Sequence, residues 1–124
     1  MNGNDRQITW DRYTSAWKAV DAKEKAAALA TSVAPTCVYT DPLVQVDGHE
    51  ALVDYMLGFH QQMPGAWFET TWFLSHHDRS IARWNMRSGE GTVVGEGISY
   101  GVYDEQGMLV AMTGFFEVQQ AGAA

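Results

Sequence analysis

The stretch Cys37-Val38-Tyr39-Thr40-Asp41-Pro42-Leu43-Val44-Gln45-Val46-Asp47-Gly48 decides how the chain folds. Cys37 to Thr40 is a short apolar, β-prone run and reads as a strand. Pro42 has a fixed φ and biases Asp41 toward extended geometry, so the strand ends in a rigid corner. Leu43 to Val46 is a second extended run, and Asp47-Gly48 closes it with a turn signal. The corner holds a carboxylate between two apolar segments. Carboxylates facing apolar cavities hold protons more tightly than in water and can shuttle them. Asp41 is therefore a candidate acid–base group; the plainer alternative is that Asp-Pro only opens a turn.

Before the corner the chain reads as helix. Ile8, Trp10, Tyr13, Trp17 and Val20 recur at helical spacing, with Thr9 as a candidate N-cap. Asp21 marks a break, and Lys23 to Ser32 is rich in Ala, Lys and Glu, good helix formers. Lys23, Glu24 and Lys25 read as a solvated face, and Pro35 ends the segment. After the corner, His49 to Met63 carries a helical stripe of Leu52, Tyr55, Met56 and Phe59, stopped by Pro64-Gly65.

The remainder alternates at period two and predicts strands. Ala82, Trp84 and Met86 share one strand face, with Arg83, Asn85 and Arg87 on the other. On the preceding strand the same alternation groups Phe68, Thr70, Trp72 and Leu74, and carries His76 with them and His77 outward, unless a strand-end bulge reverses the pair. Ser88 to Gly91 reads as a hairpin loop and Val93 to Tyr103 as a strand. Gly95, Gly97 and Gly101 in that strand predict bends, bulges or close approach by another group. Asp104 to Gly107 turns the chain into a last strand, Met108 to Val118, and residues 119–124 read as a frayed tail. Helices followed by an antiparallel, bent sheet predict a single α+β domain spanning residues 1–124, with the helices enclosing a cavity.

Composition narrows the function. Hydrophobic residues are 46% and charged residues 19%, with a formal net charge of −7 and eight scattered basic residues. That balance argues against nucleic acid. No apolar run matches a membrane span and no signal-peptide pattern is present, so a cytoplasmic location without membrane association is expected. The single Cys37 reads as an inert buried thiol. There is no phosphate-binding glycine loop and no metal-ligand spacing, so no cofactor and no metal are expected. Five Trp, five Tyr, five Phe and six Met are a large apolar supply for 124 residues. Trp17, Phe59, Trp72, Trp84, Met86 and Phe115 are candidate lining for an apolar pocket: any one of them alone reads as core, but the set exceeds what so small a core needs. Glu96 reads as a solvent-facing residue.

The order of these marks resembles the nuclear transport factor 2-like superfamily, in its SnoaL-like and ketosteroid isomerase-like branch. The marks are Tyr39-Thr40-Asp41-Pro42, Gly48-His49-Glu50-Ala51-Leu52, His76-His77, Trp84, Gly95-Glu96-Gly97, and Asp104-Glu105-Gln106-Gly107 before Gly114-Phe115-Phe116. The resemblance runs from about Trp10 to Phe116 and implies a cone: a curved mixed sheet closed by three helices around one apolar pocket. Superfamily members isomerise, dehydrate, hydrolyse, cyclise or only bind, so the resemblance implies a fold more than a function. Set against ketosteroid isomerase, Asp41 matches the catalytic base and Tyr13 the oxyanion donor. Ser99 stands where that enzyme has a second, acidic donor. His76 in His76-His77-Asp78 resembles the histidine–aspartate pairing of scytalone dehydratase.

Together these readings predict proton transfer on a hydrophobic cyclic carbonyl compound, with Asp41, Tyr13, His76 and Ser99 as the chemical groups. The alternative is a non-catalytic module that binds an apolar ligand or a protein. A homodimer is expected through the other sheet face, on Trp67, Phe73, Ile98, Tyr100 and Val102.

Overall fold

The computed structural model describes residues 3–118. In chain order the elements are α1 (Gly3–Lys18), α2 (Ala22–Ala30), β1 (Val33–Thr40), β2 (Gln45–Asp47), α3 (Gly48–Gln62), β3 (Trp67–His76), β4 (Arg79–Arg87), β5 (Val93–Tyr103) and β6 (Leu109–Phe115). The strands form one six-stranded sheet in the order β2-β1-β6-β5-β4-β3. Only β1 and β6 run parallel; every other neighbouring pair is antiparallel. The expected α+β architecture is present: three helices beside a curved, unclosed mixed sheet.

The helices lie on one side because their apolar faces need that side of the sheet. Trp10, Tyr13, Ala16 and Trp17 of α1 are buried with Leu29 of α2, with Leu52, Val53 and Met56 of α3, and with Ala82, Tyr103, Leu109 and Met112 of the sheet. Asp21 is the N-cap of α2, its carboxylate accepting from the Glu24 N–H at 2.8 Å. Thr9, expected to cap α1, lies inside that helix, and its hydroxyl donates to the Asp5 carbonyl at 3.1 Å. The helix begins well before its apolar stripe does. The residues expected to fray, 119–124, lie outside the described residues.

Lys25 departs from its expected place on a solvated face. Its side chain is fully buried, and Nζ donates to the Ala16 and Ala19 carbonyls at 3.1 and 2.6 Å and to His60 Nδ1 at 3.2 Å. A buried ammonium needs partners; here the open carbonyls at the end of α1 supply two, and α3 the third. His60 Nε2 faces the Ala66 carbonyl at 2.9 Å. A carbonyl can only accept, so Nε2 carries the ring proton and Nδ1 is free to accept from Lys25.

A bulge decides which residues of β3 face inward. Thr70 pairs with Trp84, but the next pair is Trp72 with Arg83, so Thr71 is the extra residue. Two-residue alternation inverts at such a point. Phe68 and Thr70 face the helices, and beyond the bulge Phe73 does; it packs on the core, its ring 6.5 Å from Trp10. Trp72, Leu74 and His76 are turned outward and exposed. Phe73 is thus removed from the expected dimer face, and Trp72 and His76 from the expected pocket.

Candidate functional site

Between the helices and the sheet lies an open cavity of about 1510 Å³. Its walls are largely aromatic. Trp17 sits at the centre, with ring centroids 5.6 Å from Tyr39, 6.0 Å from Tyr55, 5.6 Å from Phe59 and 5.4 Å from Phe68. Phe68 meets Trp84 edge to face at 5.0 Å, and Trp84 meets Phe116 at 6.2 Å. Such tilted and edge-on pairs are the favoured aromatic geometry and fix the rings in place.

On its inner face the sheet leaves side chains out, so that neighbouring groups lie directly on its backbone. Along the inner face of β5 stand Gly95, Gly97, Ser99 and Gly101, opposite Met86, Trp84, Ala82 and Ser80 of β4. A Cβ at Gly97 would overlap the Trp84 ring and lie 2.6 Å from the Phe115 carbonyl oxygen. A Cβ at Gly95 would press on Met86 Cε at 3.3 Å, and one at Gly101 on Leu109 at 2.9 Å. The glycines are there for close approach, as the sequence predicts.

One end of the cavity is polar, and Asp41 is its centre. Cys37, Tyr39 and Asp41 follow one another at two-residue spacing along β1 and are all buried, Asp41 retaining only 9% exposure. Asp41 Oδ2 accepts from the Tyr39 hydroxyl at 2.7 Å and from the Tyr55 hydroxyl, reaching over from α3, at 2.8 Å. Oδ1 accepts from the Leu43 and Val44 N–H groups at 2.8 and 3.1 Å. The sequence posed turn-opener and site carboxylate as alternatives; the same side chain makes the turn bonds with one oxygen and faces two phenols with the other. Around Gly114 the polar groups converge: a Cβ there would lie 3.7 Å from Asp41 Cβ, 3.8 Å from Ser99 Oγ and 3.9 Å from the Tyr39 hydroxyl oxygen. Ser99 Oγ accepts from Trp84 Nε1 at 2.9 Å.

The phenols stay protonated in this setting. Burial, with the neighbouring Tyr13 and the Asp41 carboxylate adding to it, holds Tyr39 neutral far above the ordinary tyrosine range. Burial and the hydrogen bond to Asp41 do the same for Tyr55. Tyr13 is 3% exposed, and burial raises it too. Its oxygen accepts from Trp17 Nε1 at 3.0 Å. These three groups are donors at neutral pH, not bases.

Of the residues that the sequence singles out, Tyr13, Trp17, Asp41, Phe59, Trp84, Met86 and Ser99 line the cavity. Phe115 borders the opening with 59% of its surface exposed, and it is Phe116 that packs on Trp84. Trp72 lies outside, 44% exposed, with the Arg83 guanidinium 5.2 Å from its ring centroid. His76 is at the β3–β4 hairpin, exposed, its Nδ1 3.1 Å from Nδ1 of His77, which turns the chain at φ 51°. The pair is remote from Asp41 and joins no acid–base group of the cavity. Tyr39, Tyr55 and Phe68 also line the candidate site, and the sequence pattern does not single them out. Tyr39 was within reach, being two residues before Asp41 on one strand; nothing local in the sequence marks Tyr55 apart from its place on an apolar stripe. Among the described residues no group of three or more His, Cys, Asp or Glu is arranged to hold a metal ion, and no helix is long and apolar enough to cross a membrane.

Comparison with known families agrees with this architecture. The profile of the SnoaL-like domain matches residues 10–122. The chain belongs to the SnoaL-like family. Among solved structures, a proposed isomerase of the SnoaL-like family from Agrobacterium tumefaciens strain C58 is similar over 93% of this chain and 99% of its own, with a TM-score of 0.85 and 21% identity. A proposed SnoaL-like polyketide cyclase from Jannaschia sp. CCS1 is similar over 93% of this chain and 87% of its own, at a TM-score of 0.76 and 13% identity. A SnoaL-like protein of unknown function from Burkholderia thailandensis is similar over 95% and 99%, at 0.73 and 14%. No curated protein matches. At these identities the solved structures speak for the SnoaL-like fold and not for a reaction.

Proposed function

We propose that this SnoaL-like protein is a cofactor-independent enzyme of isomerase, dehydratase or cyclase type, moving a proton on a hydrophobic cyclic carbonyl compound. The observation that carries the reading is the buried Asp41 carboxylate at the polar end of an aromatic cavity, with the Tyr39, Tyr55 and Ser99 hydroxyls gathered about it. In this reading an apolar ligand lies in the cavity against the wall that Trp17, Phe59, Phe68 and Trp84 form, with its carbonyl oxygen toward the hydroxyls. Tyr55 is the donor free to change partner, since it reaches in from α3 and is only half-buried. Turning its O–H from Asp41 to the substrate oxygen releases one lone pair of Oδ2. Asp41 then takes the proton from the carbon beside the carbonyl; the C–H electron pair becomes a C=C bond and the carbonyl π pair moves onto the oxygen, where Tyr55 and Ser99 donate to it. Where a double bond adjoins the enolate, Asp41 returning the proton at its far carbon completes an isomerisation; where a β-hydroxyl is present, Asp41 passing the proton to it lets it leave as water and completes a dehydration. The names of the Agrobacterium and Jannaschia proteins support this class.

Tyr13 enters as a wall residue and a third donor near the same corner. His76 has no part in this scheme. The alternative, a non-catalytic binder, draws on one observation: at rest both oxygens of Asp41 are already occupied by four donors. Kinetics on a panel of enolisable cyclic ketones separates the two. An enzyme loses turnover by about 10³-fold or more in Asp41→Asn and by about tenfold in Tyr55→Phe; a binder shows no turnover to lose. We further propose that the exposed Trp72, Leu74, Ile81 and Ile98 on the outward side of the sheet pack against a second copy of the chain.

A further inference from the structure

Ser99 is held by a neighbour that can act on it in one way only. Trp84 Nε1 donates to Ser99 Oγ at 2.9 Å. An indole N–H has no acceptor role, so this bond takes up a lone pair of the serine and leaves its proton to be given elsewhere. An oxygen that already accepts one hydrogen bond is polarised into a better donor. The reach of the indole depends on the strand beside it. Trp84 pairs with Gly97, and Ser99 is the diagonal neighbour two residues on. The ring crosses the bare Gly97 backbone to get there, where a Cβ would lie 2.6 Å from Trp84 Cη2. Phe68 at 83° and Phe116 at 68° clamp the same ring. Its orientation is therefore fixed before any ligand arrives.

We propose that Trp84 is a positioning residue for ligand recognition, which directs the Ser99 hydroxyl to donate into the cavity, with Gly97 as the seat that makes this possible. The site thereby selects a ligand with an acceptor oxygen, such as a carbonyl, at the Ser99 position. The inference rests on the ligand pocket proposed above, but not on proton transfer by Asp41.

The test compares 1-tetralone with tetralin, which share a skeleton and differ by the carbonyl. Affinities of both are measured by ligand-observed NMR for the wild type, Ser99→Ala, Trp84→Phe and the double variant. One neutral hydrogen bond is worth about 1 kcal/mol, or about fivefold in affinity. Ser99→Ala is expected to lower the tetralone-to-tetralin affinity ratio about fivefold. Trp84→Phe keeps a ring against Phe68 and leaves Ser99 in place, yet is expected to lower the ratio by the same factor, and the double variant no further. In the unliganded protein the Trp84 indole N–H resonance should be slow to exchange and should move in Ser99→Ala. An unchanged ratio in Trp84→Phe overturns the proposal, as do losses that multiply in the double variant, a freely exchanging indole proton, or failure of the wild type to bind either compound. Selective binding of tetralone without its deprotonation would sink the proton-transfer reading and leave this one standing.

Discussion

The two faces of β4 and β5 are made by the same strands and serve opposite ends. On the inner face, Gly95, Gly97 and Gly101 give up side-chain volume, and what remains is Trp84, Ser99 and the space above them. On the outer face the intervening positions keep their bulk, with Ile81 37% and Ile98 40% exposed, joined by Trp72 and Leu74 of β3. An apolar sheet face normally fills its own core; here one side borders an open cavity while the other leaves large apolar groups in water. The difference teaches that single substitutions should act very differently a residue apart.

The largest effect is expected at the polar end. Asp41→Ala leaves two phenols and two backbone N–H groups without their acceptor, and should cost about 3–5 kcal/mol, read as a lowered midpoint in urea unfolding. Asp41→Asn keeps an oxygen for the backbone pair and an amide that can donate to the phenol oxygens, so its cost should be about 1 kcal/mol. Next comes Gly97→Ala, whose methyl must displace Trp84 or the β6 backbone and should cost about 1–3 kcal/mol. Near-ultraviolet circular dichroism reports whether the indole has moved.

The inner side also sets the alkaline limit. Burial raises Tyr13, Tyr39, Tyr55 and Tyr103, the last pushed up to about 12 from an ordinary 10.0. The folded state thus keeps protons that the unfolded chain has lost. Stability from these groups is full below pH 10 and falls as pH rises through the folded values. Lys25 runs the other way, because burial lowers it: its contribution grows as pH approaches the ordinary 10.5. The tyrosines outnumber it, so unfolding free energy should drop above pH 10, and Tyr103→Phe should remove part of the drop. The smallest effect on the fold belongs to the outer face. Within the protomer itself, Ile98→Glu should change unfolding free energy by less than about 1 kcal/mol, measured at protein concentrations low enough to dissociate any dimer. In sedimentation the wild type is expected as a dimer and this variant as a monomer; a monomeric wild type breaks the comparison on that side.

Much of this was legible in the sequence, and what was not has a local cause. The Asp41-Pro42 corner, the glycines of β5, and Trp84 and Met86 on one face all follow from backbone rules that act within a few residues. Period-two alternation cannot see the extra residue at Thr71, so it puts Trp72, Phe73 and His76 on the wrong faces together. Charge runs in helices usually face solvent, and Lys25 departs from that because its partners, the carbonyls of Ala16 in α1 and Ala19 just beyond it and His60, are set only by how three helices meet. Tyr55 joins Asp41 across 14 residues, through the packing of α3 on β1.

The central claim is that Asp41 takes a proton from a bound carbonyl compound. Its most direct measurement is deuterium uptake at the carbon beside the carbonyl of 1-tetralone in D₂O, followed by proton NMR with wild type and Asp41→Asn at equal concentration. The account predicts exchange well above the buffer rate with the wild type and at the buffer rate with Asp41→Asn. Equal rates for the two folded proteins, whether both fast or both at background, would contradict it.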